Sequence, residues 1–254
     1  MITIWWREIV RFYRQRSRLF SAIAQPLVFW ILIGSGLSAS FRPTGAADGP
    51  DYIAYFYPGI VVLVLLFTSI FATISVVNDR REGFLQGILV APVPRWRVVM
   101  AQALGGTTLA LLQGVLLLLL APTTGIRFGA TSLLLSIGVM ALLAFGLTNL
   151  GLLIAWRMDS TQGFHAIMNL LLIPIWLLSG AFFPSTGVPG WLAWTMKLNP
   201  LTYGLAAFRH SLYFDTTAKA FGEIPPWTLS MLITGLFCVL TYVGATFTAS
   251  TQAN

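Results

Sequence analysis

Charge is scarce in this chain of 254 residues: 9% are Asp, Glu, Lys or Arg, against about a quarter in soluble domains, while 57% are hydrophobic. A water-exposed surface needs more charge than that, so the composition excludes an ordinary soluble domain and indicates a membrane protein. Cysteine is almost absent. Cys238, inside the last apolar run, stands alone, which excludes a disulfide framework and a cysteine-based metal site. Neither His165 nor His210 has a second histidine or cysteine at ligand spacing, so interface or packing roles fit them better than metal binding. The two lysines, Lys197 and Lys219, follow Met196 and Ala218; a phosphate-binding P-loop needs a Gly-Lys-Ser/Thr end, so the chain carries no ATPase site of its own.

What is present in quantity is apolar sequence. Runs long enough to cross a bilayer, about 20 residues each, are predicted at Ala22 to Ser40, Tyr55 to Val77, Val98 to Ala121, Ser132 to Ala155, His165 to Phe182 and Trp227 to Thr248. Six helices in one domain, residues 1–254, make an all-α polytopic membrane protein. The first run has an alternative reading as a secretory signal, because Ser38, Ala39 and Ser40 follow its apolar core. No acidic residue, lysine or arginine falls near the middle of a predicted span, the place where ion-coupled carriers commonly keep one.

A net charge of +7 and a pI near 10.1 raise the question of nucleic acid, but the basic residues gather at the ends of apolar runs rather than on an open surface, and nucleic acid is not an expected partner. With six spans, one side holds Arg7, Arg11, Arg14, Arg16, Arg18, Arg80, Arg81, Arg95, Arg97 and Arg157; the other holds Arg42, Arg127, Lys197, Arg209 and Lys219. The richer side faces the cytoplasm under the positive-inside rule. Both termini are therefore expected inside, in a cell inner or plasma membrane, with the long stretch 183–226 outside.

Two segments outside the spans carry pattern. In WWREIVRFYRQRSR, within residues 1–20, Arg7, Arg11, Arg14 and Arg18 fall on one helical stripe, flanked by Trp5 and Trp6 with Ile9, Val10, Phe12 and Tyr13. That is an amphipathic helix suited to the headgroup layer, with membrane lipid as its partner; a helix that also touches a soluble partner is the sharper alternative. The second segment, 78–97, reads NDRREGFLQGILVAPVPRWR. Asp79 followed by Glu82 has the spacing of a capping box, and Pro92 and Pro94 end a helix near Val90. A short amphipathic helix is predicted there, with Phe84, Leu85, Ile88 and Leu89 on one face. In WRMDSTQ, Arg157 and Asp159 fall in a short turn capped by Asp or Ser.

The stretch EGFLQGILVAPVPRWRVV resembles the signature of ABC-2 type transporter permeases, in which Glu-Gly, a hydrophobic pair, Pro and Arg precede the third span. The matching residues are Glu82, Gly83, Leu85, Ile88, Leu89, Pro92 and Arg95. Phe84 stands where the family often has Thr, and Gln86 where it often has Glu. A second stretch, Leu177 to Tyr213, is similar to the region after the fifth span in the drug, polysaccharide and lipo-oligosaccharide export branches. There Pro174 can kink the fifth span, Pro184 and the Gly187 to Gly190 turn, with Pro189, break it, and Trp191, Trp194 and Tyr203 suit an interface. Two short helices around Asn199 and Pro200 are expected to re-enter the outer leaflet.

The resemblance implies a mechanism. Two such subunits, a homodimer or a pair of relatives, form the substrate pathway. Separate ATPase subunits, holding the ATP and Mg, dock beneath a coupling segment made of Asp79, Arg80, Arg81, Glu82, Gly83, Leu85, Gln86, Leu89, Pro92 and Arg95. This chain itself binds no cofactor. Two other classes compete: a secondary transporter or channel, which calls for an intramembrane charge or polar filter, and a membrane enzyme acting on lipids, which calls for an acidic or histidine cluster at a membrane face. Neither feature is evident in the sequence. Substrates compatible with an apolar pathway are an amphipathic drug, a lipid or a lipid-linked glycan.

Overall fold

The computed structural model describes residues 2–14, 28, 32, 52–84, 87, 93–124, 126, 129–185, 187–214 and 224–251. Every regular element among them is a helix: α1 (Ile2–Arg14), α2 (Tyr52–Ala72), α3 (Ile74–Arg81), α4 (Arg95–Leu118), a short 3₁₀ turn (Ala121–Thr124), α5 (Ala130–Ala155), α6 (Thr161–Trp176), a π-helical turn (Leu177–Ala181), α7 (Gly190–Leu198), α8 (Pro200–Leu212) and α9 (Trp227–Thr251). Among the described residues, five helical stretches are long and apolar enough to cross a membrane: Tyr55–Arg81, Arg95–Thr123, Ala130–Ala155, Thr161–Ala181 and Trp227–Thr251. They match the second to sixth expected spans. The expected first span, Ala22 to Ser40, lies outside the described residues apart from Val28 and Leu32, both helical.

The helices sort themselves by how much of their circumference is apolar. A helix hydrophobic all round has no face to offer water and belongs in the centre. α2 is such a helix, and Phe56, Val61, Val62, Val64, Leu65 and Leu66 have no exposed surface at all. It packs against α4 and α5, and α5 in turn touches α4, α8 and α9.

The peripheral helix α9 has the opposite arrangement to a soluble amphipathic helix. Ser230, Thr234, Cys238, Thr241, Ala245 and Thr248 face inward, whereas Leu232, Leu236, Val239, Leu240, Val243 and Phe247 are exposed. Several of its inward hydroxyls are satisfied locally; Thr234 donates to the Ser230 carbonyl at 2.7 Å and Thr248 to that of Gly244 at 2.8 Å. Small residues in and large aliphatic residues out is the pattern of a helix whose solvent is lipid.

Helix ends follow local rules. Ser160 caps α6 by accepting the Gly163 N–H at 3.3 Å, the cap expected from the WRMDSTQ turn. α6 contains Pro174 and gives way to the π turn, where Gly180 has φ +80°.

The second span departs from expectation at its end. It runs on as α3 through Val77 to Arg81, so Asp79 lies inside the last turn of a helix and not at an N-cap. Glu82 closes that helix from the C-terminal side, and the capping-box reading of Asp79 and Glu82 is thereby corrected. The physical reason is that both carboxylates have arginines as partners, as the next subsection describes.

Candidate functional site

The residues singled out at the arginine-rich end of the bundle converge on the last turn of α3. Asp79 is 2% exposed and receives two guanidinium groups from α1. Arg11 donates to Asp79 Oδ1 at 2.8 Å, and Arg7 donates to Oδ2. Arg7 and Arg11 are one helical turn apart, so both side chains reach the same point. Arg7 also donates to Glu8 at 3.1 Å, and Glu8 is itself buried against Gly105 of α4. Burial pulls the Arg7 pKa down, but the hydrogen bond and charge of Asp79, with Glu8 adding to them, outweigh burial and hold it above its ordinary value. Trp5 completes the attachment by donating through Nε1 to Thr108 Oγ1 at 3.1 Å. Elsewhere on α1, Ile2, Trp6 and Arg14 are exposed, an arrangement compatible with a headgroup layer.

Arg80 leaves the helix in another direction. It donates to Asp159 at 3.0 Å, to the Met158 carbonyl at 3.4 Å and to the Trp156 carbonyl. These carbonyls close the C-terminal end of α5, where a cation complements the helix dipole. Consecutive residues of one turn thus bind α1 on one side and the turn between α5 and α6 on the other.

Just past these two attachments the helix ends. Gly83 has φ +75°, a left-handed conformation that glycine adopts without steric penalty, and Arg81, Glu82 and Phe84 are exposed. The Arg7 guanidinium carbon stands 4.3 Å from the centroid of the Phe84 ring, so the N-terminal helix reaches the connecting segment as well. Glu82 stays 65% exposed and 3.9 Å from Arg11, a loose pair. Phe84 and Gly87 are helical, and the other residues of the short helix expected there lie outside the described residues. Leu85, Gln86, Leu89 and Pro92, and Arg18 of the first segment, lie outside the described residues. Arg95 opens α4, with Trp96 and Arg97 exposed beside it.

At the opposite end of the bundle, α7 and α8 stand either side of Asn199. Its side chain accepts the Leu201 N–H at 3.0 Å and donates to the Ile175 carbonyl at 2.6 Å, with Pro200 at the first helical position. Tyr203 donates to the Lys197 carbonyl at 2.9 Å, and Trp191 is exposed on α7. Gly187 has φ +84°, and Pro184 and Pro189 flank that turn. Arg209, assigned by sequence to the outer side, is buried at 6% exposure; it donates to the Gly180 carbonyl at 3.0 Å and the Tyr55 carbonyl at 3.3 Å.

Sequence reasoning missed two things here: the buried position of Asp79 and that of Arg209. The Arg7/Arg11 spacing was a signal for the first, since two arginines a turn apart can share one carboxylate. Among the described residues no group of three or more His, Cys, Asp or Glu is placed to hold a metal. The geometry is that of a mechanical junction: charged side chains are spent on joining helices to one another.

A family model described as ABC-2 type transporter matches residues 1–213. The chain is 31% identical over 206 residues to a protein of Cyanophora paradoxa named as transport permease ycf38, covering 80% of this chain and 70% of that one. It is 26% identical over 211 residues to Nodulation protein J of Rhizobium meliloti (strain 1021), covering 82% and 79%. Against the multidrug ABC transporter permease YbhR of Escherichia coli (strain K12) it is 25% identical over 154 residues, covering 60% and 42%.

Proposed function

Since the chain belongs to the ABC-2 type transporter family, we propose that it is the membrane subunit of an ATP-driven exporter, built as one domain of six spans with both termini in the cytoplasm. Two copies form the pathway, and separate ATPase subunits dock on the segment 78–97. The observation that carries this reading is the exposed stretch Arg81 to Phe84, held between α1 through Asp79 and the α5–α6 turn through Arg80. A force applied to that stretch reaches two other parts of the bundle through charged contacts, which is what a coupling element needs. α7 and α8 re-enter the outer leaflet from the other side. The relatives' names speak of nodulation and of multidrug transport; the substrate class consistent with an apolar bundle is an amphipathic drug, a lipid or a lipid-linked glycan.

Hydrolysis is assigned to the partner. The purified chain, freed of associated proteins, is expected to hydrolyse no ATP, and reconstitution with a P-loop ATPase is expected to restore substrate-stimulated hydrolysis. Glu82→Ala should leave assembly intact, because an exposed pair contributes only about 0–1 kcal/mol, yet uncouple hydrolysis from efflux. Hydrolysis by the isolated chain, or full coupling in the Glu82→Ala complex, would count against the assignment.

Orientation has its own test. In a Cys238→Ser background, cysteine at Ser185 is expected to react with an impermeant thiol reagent added outside intact cells, and cysteine at Gln86 to react only after the membrane is opened. The reverse pattern would invert the topology.

A further inference from the structure

The cavity beneath Arg209 belongs to no part of the coupling junction. It measures about 30 Å³ and is lined by Tyr55, Ser179, Pro184, Ser185, Thr202 and Arg209 among others. A water-sized site needs about 10–15 Å³ on this measure, so the cavity has room for roughly two oxygen-sized centres. Its wall holds a full positive charge. The guanidinium lies 4.4 Å from the Tyr55 ring centroid and gives Nη2 to the two carbonyls, while its Nε–H is buried with no hydrogen-bond partner. Among the described residues no carboxylate pairs with Arg209. Carbonyl dipoles and a ring face supply partial negative charge only, and a buried cation left at that is destabilising. Ser185, exposed on the cavity wall, connects the space with the outside of the bundle.

We propose that this cavity is an anion site, taking a carboxylate or phosphate group against the charge of Arg209. Recognition rests on charge rather than on a planar pair of oxygens, because Nη2 already gives its two hydrogens to the Gly180 and Tyr55 carbonyls and the fork it would form with Nε is closed. The inference does not depend on the direction of transport. Two sources supply this chemistry, a free solute anion and a lipid headgroup, and the full chain in nanodiscs separates them.

Thermal unfolding is followed in phosphatidylcholine nanodiscs while sodium acetate replaces sodium chloride at fixed ionic strength. Acetate is expected to raise the midpoint saturably by about 3–6 °C at ten times its dissociation constant. Including phosphatidylglycerol distinguishes the sources. A raised midpoint with no further acetate response identifies a headgroup, and an unchanged acetate response identifies a solute. Ala206→Leu, which fills the cavity from its buried wall, should abolish the effect. Ser185→Asp places a carboxylate at an exposed position and should abolish it too, without disturbing the core. Glu223, next in sequence to cavity-lining Ile224, is the internal alternative. If neither acetate nor phosphatidylglycerol shifts the parent, if Ala206→Leu and Ser185→Asp respond like it, or if only Glu223→Gln responds, the proposal is overturned.

Discussion

Replacing Asp79 with asparagine is expected to lower transport by the reconstituted complex about tenfold or more, a factor worth about 1.4 kcal/mol, while the bundle still inserts and folds. Removing one partner of a buried ion pair typically costs about 3–5 kcal/mol when the remaining charge stays dry. The Arg7 and Arg11 side chains keep 29% of their exposure and can rehydrate, so the loss of stability should fall nearer about 1–3 kcal/mol. That is enough to free the N-terminal helix from α3 but not to undo a core built on α2, α4 and α5. A double-mutant cycle with Arg11→Gln gives the decisive number. The pair should show a coupling energy of about 1 kcal/mol or more; additive single effects would mean that the two side chains merely lie close together.

Gly59→Ala is expected to be the most damaging small substitution in the outer half of the bundle. A methyl group there would sit 2.8 Å from Ala181 Cβ, 3.0 Å from its carbonyl oxygen and 3.1 Å from its Cα. Backbone cannot rotate out of the way, so the π turn must shift, and it takes with it the Gly59 carbonyl's bond from Trp176 Nε1 at 2.8 Å. Overpacking of this kind costs about 1–3 kcal/mol, against a gain of about 0.5–1 kcal/mol for replacing glycine by alanine in a helix. Gly138, where an added methyl meets nothing within 4 Å, is the control and should be neutral or slightly stabilised. Equal thermal midpoints for Gly59→Ala and Gly138→Ala would remove the crowding argument.

What the sequence made legible was local. The second to sixth spans were found because twenty apolar residues in a row need no partner to be recognised. The two short helices around Asn199 and Pro200 were expected from a stretch that resembles the family, and the cap that Asn199 provides came to light only in the structure. Asp79 shows where that legibility stops. Its spacing to Glu82 imitates a capping box, yet the groups it binds lie 68 and 72 residues away on α1, and the Arg7/Arg11 spacing offers a carboxylate site without saying which carboxylate fills it. The same holds for Arg80, whose partner Asp159 is 79 residues distant, and for Arg209, which looks like one more cation at the mouth of a loop until α8 carries it inward. A membrane helix can end several residues beyond its apolar run when its charges are neutralised by other helices, and α3 does so.

Asp79 and Arg80 are neighbours in the chain, and on a helix neighbours point about 100° apart. Their two attachments therefore pull in different directions, toward α1 and toward the turn between α5 and α6. Turning α3 about its own axis carries both side chains off their anchors at once, and sliding it along that axis strains the same two sets of contacts. The last turn of α3 is thus held like a post guyed from two sides.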